Sequence, residues 1–142
     1  MDLSREIAAK VEQSFANQAM MTTFGARLTR LAHGMVEIEA PILEQCTQQH
    51  GFGHAALTFG LGDSAAGYAA LSVMPPEAEV LTSEMKIHLL SPAHGDLLRA
   101  TGKVVKPGRR LVIVQAEVHA ISGDLTTQIA LMTGTMVPVF PK

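Results

Sequence analysis

The chain has 142 residues, 47% of them hydrophobic, which is the size and content of one domain with a single core. A net charge of −2 gives no electrostatic footprint for nucleic acid or an anionic membrane, so any basic patch is local. The single cysteine, Cys46, excludes an intramolecular disulfide, and MDLSREIAAKVEQSF carries charges where a signal peptide needs an apolar run, so a reduced, cytoplasmic setting is expected.

In chain order, residues 2 to 19 place Leu3, Ile7, Val11 and Phe15 four apart among Arg5, Glu6, Lys10 and Glu12, which predicts an amphipathic helix. Arg27 to Ala32 and Val36 to Ala40 read as two strands joined at His33-Gly34, and Pro41 to Gly53 as a loop rich in Gln, His and Gly. From His54 to Met74 the residues are apolar or small without a break, bounded by Gly51 and Gly53 on one side and Pro75-Pro76 on the other, which predicts one helix. A helix apolar on every face either spans a membrane or is enclosed by protein. Asp63 at its midpoint would cost about 2.5 to 3.5 kcal/mol on insertion, and its flanks lack Lys or Arg anchors, which argues against a span. Gly60, Gly62 and Gly67, each about 1 kcal/mol worse than Ala in a helix, argue for a surface that approaches the backbone closely, such as a sheet wrapped round it.

Beyond Pro75-Pro76 the pattern has period two. Val80 to Leu90 puts Leu81, Met85, Ile87 and Leu89 on one face and Thr82, Glu84, Lys86 and His88 on the other. Leu97 to Lys106 sets Leu98, Ala100 and Val104 against Arg99, Thr101 and Lys103, and a turn follows at Lys106-Pro107-Gly108-Arg109. Leu111 to Ile121 turns Val112, Val114, Ala116 and Val118 inward, and Thr126 to Val139 is a last long strand. No repeat or linker divides residues 1 to 142. Six strands and one enclosed helix make an α+β domain, an antiparallel sheet curled round its helix, with a further helix at the N-terminus.

Within this frame Gln48, His54 followed by Ala55-Ala56, and Asp63 nine positions after the His resemble the hotdog fold and, within it, the PaaI-type acyl-CoA thioesterases. The run Ser64 to Ala70 and the segments Leu89-Leu90-Ser91-Pro92-Ala93, Gly95-Asp96 and Lys106-Pro107-Gly108-Arg109 extend the similarity over roughly residues 20 to 140. Gln48 stands where many members carry Asn, and Ala55-Ala56 replaces the usual Gly-Gly. The resemblance implies hydrolysis of acyl-CoA to a free acid and coenzyme A, with no metal and no cofactor other than the coenzyme A of the substrate. It implies a homodimer, or a dimer of dimers, in which the helix start and Gln48 of one chain face Asp63 and Thr82 of the other. It also implies contacts to coenzyme A from Ser91, Pro92, His94, Lys106, Gly108, Arg109 and Arg110. The cationic turn suits nucleotide phosphates by charge-assisted bonds, and equally suits a solvated hairpin tip.

The residues support the same chemistry by a separate route. Thioester hydrolysis passes through a tetrahedral oxyanion, so it needs an activator of water and fixed donors for the developing charge. Asp63 can act as general base, or as nucleophile through a mixed anhydride. The backbone N–H of Ala55, in the first turn of the helix, can donate to the oxyanion. Asp63 lies nine residues beyond His54, roughly 13 Å along the helix at about 1.5 Å per residue, so one helix cannot bring both to one carbonyl.

Plainer readings stand beside these. Asp63 can be a structural acid bonded by Ser64 or Thr58, His54 a helix-start residue, Gln48 a solvated loop residue and Thr82 an ordinary strand threonine. Cys46, His50 and His54 lack a fourth ligand for zinc. The rival functions are an enoyl-thioester hydratase on the same fold and a non-catalytic acyl-CoA binder. Met20, Met21, Met74 and Met85 read as an adaptable apolar wall, from which medium-chain aliphatic acyl groups are expected.

Overall fold

The computed structural model describes residues 1–142. Helix α1 spans Arg5–Asn17, capped by Ser4, whose hydroxyl accepts from the Ile7 N–H, and it buries Ile7 and Val11. A short helix α2, Ala19–Phe24, follows where no element is expected, and ends at Gly25 in the left-handed conformation at φ 68°. Strands β1 (Arg27–Ala32) and β2 (Met35–Pro41) form a hairpin, and a 3-10 turn at Glu44–Cys46 opens the loop to α3 (Ala55–Leu71). Strands β3 (Glu79–Leu89), β4 (Leu97–Lys106), β5 (Val112–Ser122) and β6 (Leu125–Val139) complete one antiparallel sheet in the order β1-β2-β4-β5-β6-β3. This is the hotdog fold, with α3 as the enclosed helix and α1 at the N-terminus.

Helix α3 stops at Leu71, three residues before the expected Met74. The Ser72 hydroxyl donates to Ala69 O and accepts from Gly34 N, tying the helix end to the β1–β2 turn. No helix is long and apolar enough to cross a membrane. The inward residues of β4 and β5, among them Leu98, Ala100, Val114, Ala116 and Val118, are buried against α3 as the alternation predicts. Close approach explains two of the three helix glycines. A Cβ on Gly62 would lie 2.1 Å from Met132 Sδ, and one on Gly60 2.7 Å from the Phe24 ring. Gly67 is different, with nothing nearer than 3.9 Å. From the sheet side, a Cβ on Gly102 would stand 2.3 Å from the Ala65 backbone carbon, so β4 and α3 meet backbone to backbone.

Strand β3 departs from strict alternation. Its register with β6 shifts between Thr82 and Glu84, a bulge at Ser83. Met85 and Ile87 face inward as expected, but Leu81 does not share their face and is 57% exposed. Val80 and Thr82 face α3 instead. The expected placement of Thr82 on the outer face with Glu84, Lys86 and His88 is therefore wrong, because the extra residue reverses the facing of everything before it.

Two glycine substitutions separate these environments. Gly102→Ala is expected to destabilise the fold by about 3 kcal/mol, since backbone cannot yield to the new methyl group. Gly67→Ala is expected to stabilise it by up to about 1 kcal/mol through helix propensity. Urea denaturation of the two variants checks the contrast, and equal effects would contradict the packing described.

Candidate active site

The expected site residues fall into two groups. At the start of α3, Gln48 lies in a tight turn, its backbone N–H bonded to Phe52 O and its Oε1 accepting from the backbone N–H groups of His50 and Phe52. That leaves the Gln48 amide NH2 as its free donor. His54 is the N-cap of α3, its Nδ1 accepting from Ala56 N at 2.8 Å, so the neutral ring carries its proton on Nε2. The Ala55 N–H, one position earlier, has no partner within the chain and is exposed to solvent. The loop is held in place by the segment after β3, through Gly53 N to Ala93 O at 2.8 Å and an edge contact of the Phe52 and His94 rings at 5.8 Å.

The second group lies further along α3. Thr82 Oγ1 donates to Asp63 Oδ1 at 2.8 Å, a contact made possible by the bulge at Ser83. The two residues open onto a cleft of about 860 Å³ between α1, α3 and the start of β3. Neither Ser64 nor Thr58 bonds Asp63. Ser64 Oγ instead donates to Gln18 Oε1 at 3.1 Å, while Gln18 Nε2 donates to Tyr68 Oη at 2.9 Å, and Ser14 Oγ lies 3.1 Å from the same phenol oxygen. Sequence reasoning missed this bridge of α1 to α3. Its one signal was Tyr68, a phenol in an otherwise apolar stretch of helix that requires a polar partner when buried.

Burial pushes the Asp63 carboxyl above its ordinary value, and the Thr82 hydrogen bond acts in the opposite direction by favouring the ionised form. A folded-state pKa above the unfolded one means that the folded chain keeps the proton at a pH where the unfolded chain has lost it. The ionised group therefore lowers stability. This cost is absent below the ordinary carboxylate value and complete once the pH has risen through the folded value.

The residues expected to contact coenzyme A are also divided. Lys106, Gly108, Arg109 and Arg110 form the exposed β4–β5 turn, adjoining Val112, which pairs with Met136. Ser91, Pro92 and His94 follow β3 at the other end of the sheet, where Leu90 N bonds Ile129 O. One chain does not bring the two sets together. No three His, Cys, Asp or Glu side chains are grouped to hold a metal ion, and Cys46 is buried. The methionine wall is not found at the cleft. Met136 lines it, while Met21 and Met74 are buried in the core and Met20 and Met85 lie elsewhere.

The family model described as "Thioesterase superfamily" matches residues 50–127. The chain is 44% identical to a thioesterase family protein from Silicibacter pomeroyi, over 95% of this chain and 99% of that one, with a TM-score of 0.93. The E. coli PaaI protein of the phenylacetic acid degradation operon shares the fold at 21% identity, covering 96% of both chains with a TM-score of 0.85. A protein from Bacillus halodurans solved with CoA does so at 24% identity, over 94% of this chain and 83% of that one, with a TM-score of 0.78.

Thr82→Val removes the hydroxyl that favours ionised Asp63. The midpoint of the Asp63 carboxyl titration, followed by ¹³C NMR, is expected to move to higher pH; an unchanged or lower midpoint would contradict the assigned hydrogen bond.

Proposed function

The chain belongs to the thioesterase superfamily, and on that premise we propose that it hydrolyses acyl-CoA thioesters to a free acid and coenzyme A. The observation that carries this reading is Asp63, the one carboxylate of α3, half-buried, bonded by Thr82 and open to a cleft. Asp63 takes a proton from water as the oxygen adds to the thioester carbonyl, and the tetrahedral intermediate then collapses with cleavage of the C–S bond, coenzyme A leaving as a thiolate that takes the proton back from Asp63. The Thr82 hydroxyl holds the carboxylate and, through its oxygen, the attacking water. The N–H of Ala55 supplies charge stabilisation at the carbonyl oxygen, and His54 orients the helix start that presents it. Within its own chain Asp63 is partnered by a hydroxyl, and His54 spends its Nδ1 on the Ala56 N–H as a helix cap, which favours attack at the carbonyl over the paired acid and base a hydratase needs.

The site is proposed to be shared between two copies of the chain. Strand β3 is an edge of eleven residues bonded to β6 on one side only, with Leu81 and Leu89 exposed along it and Leu90 exposed just beyond it. A two-fold axis beside this edge pairs β3 with its copy in antiparallel fashion. The Ser91–Ala93 end of one β3, which braces Gly53 and the start of α3, then faces the Thr82 end of the other. Coenzyme A, as in the Bacillus halodurans relative, is the proposed thiol, with Ser91, Pro92 and His94 of one chain and the Lys106–Arg110 turn of the other supplying contacts to it. The medium-chain aliphatic expectation rested on the methionine wall and loses that support.

Incubation with acyl-CoAs and detection of free thiol tests the reading, since hydrolysis releases thiol while hydration or simple binding does not. Asp63→Asn keeps the shape and removes the base, so kcat is expected to fall by about 10²- to 10⁴-fold with far-UV circular dichroism unchanged. His54→Ala and Gln48→Ala are expected to cost less. Near-normal turnover of a folded Asp63→Asn variant would contradict the mechanism.

A further inference from the structure

We propose that the acyl group accepted beside Asp63 is a short, neutral, aliphatic one bearing a hydroxyl, and that the segment at the end of α1 reads that hydroxyl through Gln18 and Asn17. The inference rests on the thioesterase reading and narrows it. Its basis is the composition of the cleft wall. Helix α1 and the residue after it turn Gln13, Ser14, Asn17 and Gln18 to the cleft, and α3 adds Ser64 and Tyr68. The aliphatic side chains among the lining residues are those of Ala9, Val80 and Met136. A saturated chain laid against such a wall removes water from amides and hydroxyls without replacing the hydrogen bonds, so the usual gain per buried methylene is offset.

Charge excludes a second class. Lys10 is the one cation among the lining residues, and its ammonium is already held by the carbonyls of Pro76 and Ala78 and paired with Glu79 at 3.8 Å. An acyl group with its own carboxylate would meet Asp63, Glu6 and Glu79 with no free counter-charge. A cationic acyl group finds Glu79 occupied by Lys10, Glu6 about three helical turns before Asn17, and Asp63 bonded by Thr82 and required free of a cation to take a proton from water. Nearest Asp63 along α3, the wall is Ser64 with Gln18 and Tyr68, all uncharged polar groups. The chain's own wall gives an aryl group no stacking surface, because Tyr68 is the one ring in it. It is 5% exposed and packs edgewise with Phe15 at 6.2 Å and 63°.

What remains is a neutral group able to exchange hydrogen bonds. Gln18 is fixed in orientation at both ends of its amide, Oε1 by Ser64 and Nε2 by Tyr68, which leaves its second Nε2–H as a pre-oriented donor. The side-chain amides of Gln13 and Asn17 make no hydrogen bond within the chain and are exposed. A substrate hydroxyl at this wall accepts from an amide N–H and donates to an amide oxygen, and an unsubstituted chain does neither.

Thiol release by the full chain is to be compared for 3-hydroxybutyryl-, 4-hydroxybutyryl-, butyryl-, octanoyl-, succinyl- and phenylacetyl-CoA. The better hydroxybutyryl ester is expected to exceed butyryl-CoA in kcat/KM by about 10-fold or more, and the other three by at least as much. Gln18→Leu is expected to reduce the hydroxybutyryl to butyryl ratio to within about twofold, and the exposed Asn17→Leu to reduce it in part, by lowering the hydroxyacyl value more than the butyryl value. Butyryl-, octanoyl-, succinyl- or phenylacetyl-CoA equal to or better than both hydroxybutyryl esters would overturn the proposal while leaving hydrolysis standing. So would an unchanged ratio in both variants. Release of thiol from none of the six would overturn the thioesterase reading together with it.

Discussion

The Asp63 carboxylate and the Thr82 hydroxyl form the contact on which the rest of the site depends. A charge on a helix that sheet strands enclose loses water on the sides they cover, and its pKa rises accordingly. One hydrogen bond from β3 counters that rise without abolishing it, leaving a carboxylate that is less well solvated, and so more basic, than one in water. The contact needs the bulge at Ser83 to aim Thr82 inward, and it needs the sheet to sit close against α3. Gly62 and Gly102 secure that closeness, each standing where a methyl group would collide with its neighbour.

The enclosure of α3 also fixes what one chain cannot do. The helix runs antiparallel to β3, so its donor-bearing start lies beside the end of that strand and Asp63 lies near the strand's beginning. A straight helix keeps the Ala55 N–H and the Asp63 carboxylate apart by about 1.5 Å for every intervening residue. A site that uses both needs a second chain, and the unpaired edge of β3 is the place where a two-fold axis would supply it.

Much of the fold is legible in the sequence because burial leaves periodic traces. The uninterrupted apolar run of α3, the alternation of β4 and β5 and the four-residue spacing of α1 each report which side faces the core. Other features leave weaker traces. Helix α2 is six residues long, too short for a helical period to declare itself, and only its closing Gly25 marks it. The bulge in β3 adds one residue to a run, Thr82-Ser83-Glu84, that is polar throughout, so no break in hydropathy shows that the facing has reversed. The strand pattern therefore hides the hydrogen bond between Thr82 and Asp63, and only the family resemblance brings the two residues to one site. The Gln18, Ser64 and Tyr68 bridge was hidden for a different reason: it joins residues up to 50 apart whose proximity depends on where α1 lies.

If the donor at the start of α3 in one chain serves the Asp63 of another, two variants that damage opposite halves of the site will complement each other. Ala55→Pro removes that N–H while keeping a residue suited to the first helical position, and His54, at φ −65° and ψ 146°, already has the extended backbone that precedes a proline. Ala55→Pro and Asp63→Asn are each expected to be nearly inactive alone. Mixed in equal amounts and allowed to exchange subunits, they form heterodimers in which one of the two sites has both its donor and its acid, so activity should return to about a quarter of the wild-type rate. Exchange verified by mass spectrometry with no gain in activity over the separate variants would rule out a site shared between two chains.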